Sequence, residues 1–117
     1  EQSKRIGKFF TENNILIDKV LSSEWCRCKE TAKYAFNNYE TKSFLNSFFS
    51  QNFAHNKNKQ LKELNKFINN WNGKKNLVLV THYVVISEIL NLSVSSGDII
   101  ITDKNLNILA HKTTHDN

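Results

Sequence analysis

The chain has 117 residues, 39% of them hydrophobic, which suits one domain with a core of ordinary size and argues against two. Sixteen basic and eleven acidic residues give a formal net charge of +5, but no motif interleaves basic with aromatic residues, so the charge alone does not favour nucleic acid as a partner. No apolar run approaches the roughly 18 residues that a membrane-spanning helix needs, so we expect no membrane span.

Residues 1–13 predict a helix. Ile6, Phe9 and Phe10 fall on one side of it with polar residues opposite, as in an amphipathic helix that lies on a sheet. The helix begins at Glu1 without a capping residue, and the chain does not start with methionine. We therefore expect the natural chain to extend upstream of Glu1, so that this sequence is an N-terminally truncated domain.

A strand, a tight turn and a second helix follow. The strand is predicted around Asp18–Leu21, and the two serines after it suit a turn or a helix N-cap. From Trp25 to about Asn37 the apolar residues recur at spacings of three and four, which is typical of a helix. The segment YETKSFLNSFFSQNFAHNKNK, residues 39–59, has no steady periodicity and predicts a long excursion with irregular or short helical pieces.

A clear helix and a buried strand come next. The helix is predicted over Lys57–Trp71, with Gly73 as its C-terminal cap. Residues 76–81, NLVLVT, are almost continuously apolar or β-branched, as expected for a strand covered on both faces. His82 follows the carboxyl end of this strand, and residues 83–92 resume as a helix.

The last predicted element is a β-hairpin. Its strands run about Asp98–Thr102 and Asn107–His111, with a turn near Asp103–Asn105. The order of elements predicts an α/β fold: a three-layer sandwich in which helices flank a mainly parallel sheet. A right-handed crossover would join the strands that end at Leu21 and Thr81, within one domain covering residues 1–117.

The candidate chemistry lies at the carboxyl ends of the two predicted parallel strands. Ser22, Ser23 and Arg27 follow one strand and His82 follows the other, each beside a helix N-terminus whose free N–H groups favour an anion. A phosphate uses all of these groups, because arginine grips it with a planar fork of donors and histidine exchanges a proton near neutral pH. The sequence thus predicts a phosphate site at this edge.

These residues also have ordinary structural interpretations. An arginine in the first turn of a helix is commonly a surface residue, and a histidine after a buried strand is commonly a hydrogen-bonded structural residue. The other histidines lack a comparable setting and are expected to be structural or solvated: His55, His111 and His115.

Cysteine usage indicates neither a disulfide nor a metal site. One residue separates Cys26 from Cys28, so a disulfide between them would be strained, and no second pair is present to complete a zinc site. We expect no bound metal and no other cofactor.

Two motifs resemble those of the histidine phosphatase superfamily, whose fold is phosphoglycerate mutase-like. SSEWCRCKETA is similar to the family pattern of Ser-Ser or Ser-Pro, three residues, Arg, then Thr-Ala four positions on. LVLVTHYVVI is similar to the second histidine motif, an apolar strand followed by Thr-His. The resemblance covers nearly the whole chain and implies a phosphatase acting on a phosphorylated small molecule or phosphoprotein.

The resemblance also implies residue roles. Arg27 would bind the transferred phosphoryl group, His82 would neutralise and hydrogen-bond it in the transition state, and Ser22 would be a further phosphate neighbour. Such roles suit phosphoryl transfer, which depends mainly on positioning and on stabilising charge. The hydrolysis would pass through a phosphohistidine intermediate on a phosphomonoester or phosphohistidine substrate.

The chain departs from the family pattern in two ways. The nucleophilic histidine of an Arg-His-Gly or Arg-His-Ala motif is absent, so we expect that motif and its strand upstream of Glu1 and expect the present chain to be inactive alone. No carboxylate lies between Glu40 and Glu63 to act as general acid, and Asn46 and Ser47 stand near its place. The alternative is a non-catalytic phosphate-binding or interaction module on the same fold.

Overall fold

Four helices and five strands lie along residues 2–48, 55–95 and 97–113, which are the residues that the computed structural model describes. The helices are α1 (Gln2–Glu12), α2 (Cys26–Phe36), α3 (Lys57–Asn70) and α4 (Tyr83–Leu90). The strands are β1 (Ile17–Ser22), β2 (Glu40–Thr41), β3 (Asn76–Val80), β4 (Asp98–Thr102) and β5 (Ile108–Thr113), and a short 3-10 helix spans Ser43–Leu45. Within these described ranges, the helices are too short or too polar to cross a lipid bilayer.

The predicted mixed α/β architecture is confirmed. β1 pairs in parallel with both β2 and β3, so the first sheet has the strand order β2-β1-β3. β4 and β5 form a separate antiparallel hairpin, with Asp98 opposite Thr113. The predicted parallel pairing of the strands that precede Ser22 and His82 is therefore present.

Successive residues of a strand point to opposite faces of the sheet, so the parallel sheet has apolar side chains on both faces. Helices cover each of these faces. Leu21 packs in a cluster with Leu45, Phe48, Leu64 and Val85, which come from the 3-10 segment, the residues just after it, α3 and α4. Fully burying one such aliphatic side chain contributes about 1.5–3 kcal/mol.

The opposite face of the sheet packs against the first two helices. Val20 and Val78 join Ala32 of α2 there, with Phe10 of α1 against them. The ring of Phe10 meets that of Phe36 edge to face, with 5.0 Å between the ring centroids. The amphipathic pattern of residues 1–13 therefore has the predicted partner.

Three predicted details differ in the structure. β2 was not predicted, since two residues carry no readable periodicity; it lies within segment 39–59, of which 49–54 fall outside the described residues. The predicted cap at Gly73 is wrong, because α3 already ends at Asn70 and its C-cap residue is Trp71, which is extended and donates its N–H to the Ile68 carbonyl. Of the two roles predicted for the serines, the N-cap of α2 is taken by Trp25, and Ser23 instead accepts the Trp25 N–H within the turn at 3.1 Å. Glu1, where the first helix was predicted to begin, also lies outside the described residues.

Side chains hold the hairpin closed at both ends. Asp103 Oδ1 accepts the N–H groups of Asn105 and Asn107 in the turn, each at 2.9 Å. At the other end, Asp98 Oδ2 accepts the Ser95 N–H at 3.0 Å and pairs with His111 Nε2 at 2.8 Å. Burial raises the pKa of Asp98, but these contacts more than offset it, so the pKa lies below its usual value.

Candidate functional site

The parallel pairing of β1 with β3 brings the two predicted motifs together. Ser22 is opposite Val80, and the Ser23 N–H extends the ladder by donating to the Val80 carbonyl at 2.9 Å. The chain therefore leaves both strands at the same edge, and Ser23 Oγ lies 2.9 Å from His82 Nε2. Sequence positions 59 residues apart thus meet in one hydrogen bond.

Ser23 is the centre of a hydrogen-bond network that runs from the buried sheet edge to the surface. Its hydroxyl donates to Asn46 Oδ1 at 3.0 Å and accepts the Trp25 N–H at 3.1 Å, in addition to its contact with His82. Asn46 Oδ1 also accepts the Glu24 N–H at 2.8 Å, and Asn46 Nδ2 donates to Glu24 Oε1 at 2.9 Å. Ser23 is fully buried, so this network anchors the loop between β1 and α2 to the 3-10 segment.

His82 is half-buried between an aromatic ring and a thiol. The Trp25 indole stands edge-on to the imidazole, with 4.8 Å between the ring centroids, and Cys28 Sγ lies 3.6 Å from Nε2. Burial lowers the pKa of His82 below its usual 6.5. The imidazole is therefore mainly neutral at pH 7.

Cys28 is buried, and Cys26 is exposed on the same helix. Burial raises the pKa of the Cys28 thiol, an effect that an interaction with the Ser23 side chain and the charge of Arg27 partly offset. The thiol is thus protonated and neutral at pH 7. Within the described ranges, no group of three His, Cys, Asp or Glu side chains is placed to hold a metal ion.

Arg27 lies in the first turn of α2 with an exposed side chain. No hydrogen bond or ion pair joins its guanidinium to another described residue. Neither Trp25 nor His82, the N-cap residues of α2 and α4, caps its helix with a side-chain hydrogen bond. The N-termini of both helices thus follow the carboxyl ends of β1 and β3, where the helix dipole favours an anion.

Ser22 and Ser23 differ in where their hydroxyls point. Ser22 is fully buried and donates to the Ser23 carbonyl at 2.8 Å, whereas Ser23 Oγ meets His82. The sequence therefore identified the right pair of positions but singled out Ser22, while the structure brings Ser23 to the histidine. The alternation of side chains along a strand could have distinguished the two serines, because residue 23 continues the extended chain one residue past β1.

Other residues of the network were not singled out from the sequence. The motif that carries Arg27 also contains Glu24, Trp25 and Cys28. Their contacts join residues 22 to 54 positions apart, and contacts over such distances produce no periodic pattern in the sequence. Asn46 was predicted to stand near the position expected for a general acid. In the structure its amide bridges Ser23 and Glu24.

The remaining histidines lie away from this network. His55 is exposed in a turn before α3, and His111 pairs with Asp98 in the hairpin. His115 lies outside the described residues.

Comparison with protein-family models, with curated protein sequences and with solved structures returned no match to this chain. The functional assignment therefore rests on the site residues and their geometry.

Proposed function

We propose that the intact protein is a phosphatase of the histidine phosphatase type, which hydrolyses a phosphomonoester or phosphohistidine. The observation that supports this proposal is that His82 meets Ser23 at the carboxyl edge of β1 and β3, where α2, with Arg27 exposed in its first turn, and α4 both begin. A phosphoryl group is the ligand that can use an imidazole, the dipole of a helix N-terminus and a guanidinium fork together.

In the proposed reaction, Arg27 binds two oxygens of the phosphoryl group, and the dipoles of α2 and α4 stabilise its negative charge. An upstream histidine attacks phosphorus, the bond to the leaving oxygen breaks, and that oxygen takes up a proton. Water then attacks the phosphohistidine, which releases phosphate and restores the histidine. His82 stabilises the negative charge of the equatorial oxygens in both steps.

The proposed complete fold is the phosphoglycerate mutase-like three-layer sandwich. An upstream strand carrying the Arg-His-Gly or Arg-His-Ala motif would lie between β3 and β4. Both strands are apolar, and each pairs with one neighbour among the described residues: β3 with β1, and β4 with β5. A strand with free N–H and C=O groups on one edge can accept a further strand there.

The second candidate is a non-catalytic anion-binding module on the same fold. The observation that favours it is that His82 contacts a serine, a cysteine and a tryptophan and no second histidine in the part of the chain that the structure describes. Such a module would bind phosphate without forming a phosphohistidine.

Hydrolysis of p-nitrophenyl phosphate by the chain extended with its upstream coding region tests the first candidate. Arg27→Ala and His82→Ala should each lower kcat/KM about 10²-fold or more, as loss of a transition-state donor does. Arg27→Lys should recover part of this loss, because lysine keeps the charge but lacks the fork. Lys33→Ala, on the same helix but beyond its first turn, is the matched control and should leave kcat/KM unchanged.

Each outcome separates the candidates. Turnover that is unchanged in both Arg27→Ala and His82→Ala would exclude this site as the catalytic centre. A chain that hydrolyses nothing, yet melts at a higher temperature with phosphate or vanadate in an Arg27-dependent manner, would establish the non-catalytic module.

A further inference from the structure

The amide of Asn46 has a defined orientation in the network beside His82. The Glu24 N–H can only donate, so the atom 2.8 Å from it must be the amide oxygen. The Glu24 carboxylate can only accept, so the atom 2.9 Å from Oε1 must be the amide nitrogen. Both constraints agree, and together they place Oδ1 against the hydroxyl of Ser23.

That orientation defines the hydrogen bonds of Ser23. Its hydroxyl has one proton and two lone pairs, and three nitrogen or oxygen groups surround it, besides the more weakly bonding Cys28 sulfur. Asn46 Oδ1 can only accept, so the proton points there, and the Trp25 N–H can only donate, so it takes one lone pair. The remaining lone pair faces His82 Nε2 at 2.9 Å, and a hydrogen bond there requires a proton on Nε2.

The competing arrangement is a Cys28 thiol that donates to an unprotonated Nε2. The sulfur lies 3.6 Å from Nε2, whereas Ser23 Oγ lies at 2.9 Å. Without a proton on Nε2, two acceptors would face each other at the shorter distance, because the Ser23 proton is already committed to Asn46. The geometry therefore assigns neutral His82 to the Nε2–H tautomer.

The other ring nitrogen is the one available to a ligand. Nδ1 has no hydrogen-bond partner among the described residues, and none of their buried side-chain nitrogen and oxygen atoms lacks a partner, so Nδ1 reaches solvent. In the Nε2–H tautomer, Nδ1 carries a lone pair and cannot donate to a phosphoryl oxygen. Donation requires a second proton on the ring.

We propose that anion binding at this edge is coupled to protonation of His82 at Nδ1, with Ser23 and Asn46 as the positioning residues that impose the coupling. This proposal rests on the proposed function for the location of the anion. A phosphoryl group would enter together with one proton, drawn from water or brought by the ligand as a monoanion. Its affinity should fall as the pH rises above the pKa of the free imidazole.

The charged and titratable groups around His82 are consistent with this coupling. Burial holds the imidazole neutral before the anion binds, and the Cys28 thiol against it is also neutral. The Glu24 carboxylate accepts a hydrogen bond from Asn46, and Arg27 supplies positive charge from the first turn of α2. An arriving anion is then the new charge that favours imidazolium.

The tautomer can be observed directly, without any ligand, from the ¹⁵N shifts of the His82 ring in the 117-residue chain. Wild type should show a protonated Nε2 and an unprotonated Nδ1 at pH 7.5. Asn46→Ala frees the Ser23 proton to point at Nε2 and should shift the ring toward the Nδ1–H tautomer. Asn38→Ala, an exposed asparagine after α2, is the control and should not change the ring shifts. An Nδ1–H tautomer in wild type would overturn the proposal.

Calorimetry with sulfate tests the coupling, because sulfate keeps both charges across neutral pH and brings no proton of its own. Titrations in two buffers of different ionisation enthalpy should reveal uptake of about one proton per sulfate at pH 7.5, and affinity should fall about tenfold per pH unit there. His82→Gln should bind more weakly and without proton uptake.

Two failures are distinguishable. Phosphatase turnover together with sulfate binding that takes up no proton would overturn the coupling and leave the proposed function standing. An Nε2–H ring with no sulfate or phosphate binding and no turnover in the intact protein would overturn both.

Discussion

Ser22 and Ser23 are adjacent and equally buried, yet they form different numbers of hydrogen bonds. Neither side chain is exposed to solvent. Ser22 donates one bond to a neighbouring carbonyl, whereas the Ser23 hydroxyl bonds to Asn46, to the Trp25 N–H and to His82. Replacing either serine by alanine removes one buried hydroxyl group, but the number of hydrogen bonds lost differs between the two variants.

The expected costs follow from those bonds. Each hydrogen bond contributes about 0.5–1.5 kcal/mol net, so Ser22→Ala should lower the free energy of unfolding by about 1 kcal/mol. Ser23→Ala removes three bonds and leaves a half-buried imidazole N–H without its acceptor. Because the Asn46 amide keeps its bonds to Glu24, we expect a cost of about 2–3 kcal/mol.

Urea denaturation at pH 7.5, where His82 is neutral, measures this difference. Both variants should keep the wild-type m-value, so that the shift in midpoint reports stability. Equal costs for the two variants, or a larger cost for Ser22→Ala, would refute the view that the Ser23 network stabilises this edge of the sheet.

Three further predictions concern the core, the site and the hairpin. Leu64→Ala, at 2% exposure, should cost about 2–5 kcal/mol in urea denaturation, and Leu109→Ala, at 65% exposure, less than about 0.5 kcal/mol. Because the pKa of His82 is lowered by burial, the unfolded chain takes up a proton first as the pH falls below 6.5. The free energy of unfolding of wild type should therefore decrease below that pH. The same dependence of the unfolding free energy on pH in a His82→Gln variant would contradict this. Asp98→Asn should destabilise the chain near pH 5, and the difference from wild type should shrink below pH 3.8 as the lowered carboxyl pKa is crossed; a pH-independent difference would show that the carboxylate charge does not contribute.

Elements with a strong period were predictable, and short contacts between elements were not. α3 was predicted over Lys57–Trp71 and runs Lys57–Asn70, because its apolar residues repeat along one face that packs on the sheet. β2 has two residues and exists because Glu40 and Thr41 reach the edge of β1. A strand of that length is decided by its neighbour and not by its own sequence.

The site was predictable as a place and not as a set of contacts. The carboxyl ends of adjacent parallel strands must meet, so the approach of residues 23 and 82 follows from strand order. The pairing of Ser23 rather than Ser22 with His82 depends on how the chain turns after β1, and the bridge through Asn46 depends on how the 3-10 segment packs.

The amino-acid sequence by itself determined the alternation of helices and strands, the parallel pairing of β1 with β3 and the edge at which Arg27 and His82 lie, because hydrophobic periodicity is encoded locally. Only the tertiary structure decided the protonation of His82. Its tautomer depends on a chain of donors and acceptors from Glu24 through Asn46 and Ser23, and these residues come within hydrogen-bonding distance only after the strands pair. Local pattern thus specifies which residues reach the edge, and packing specifies which atoms they present there.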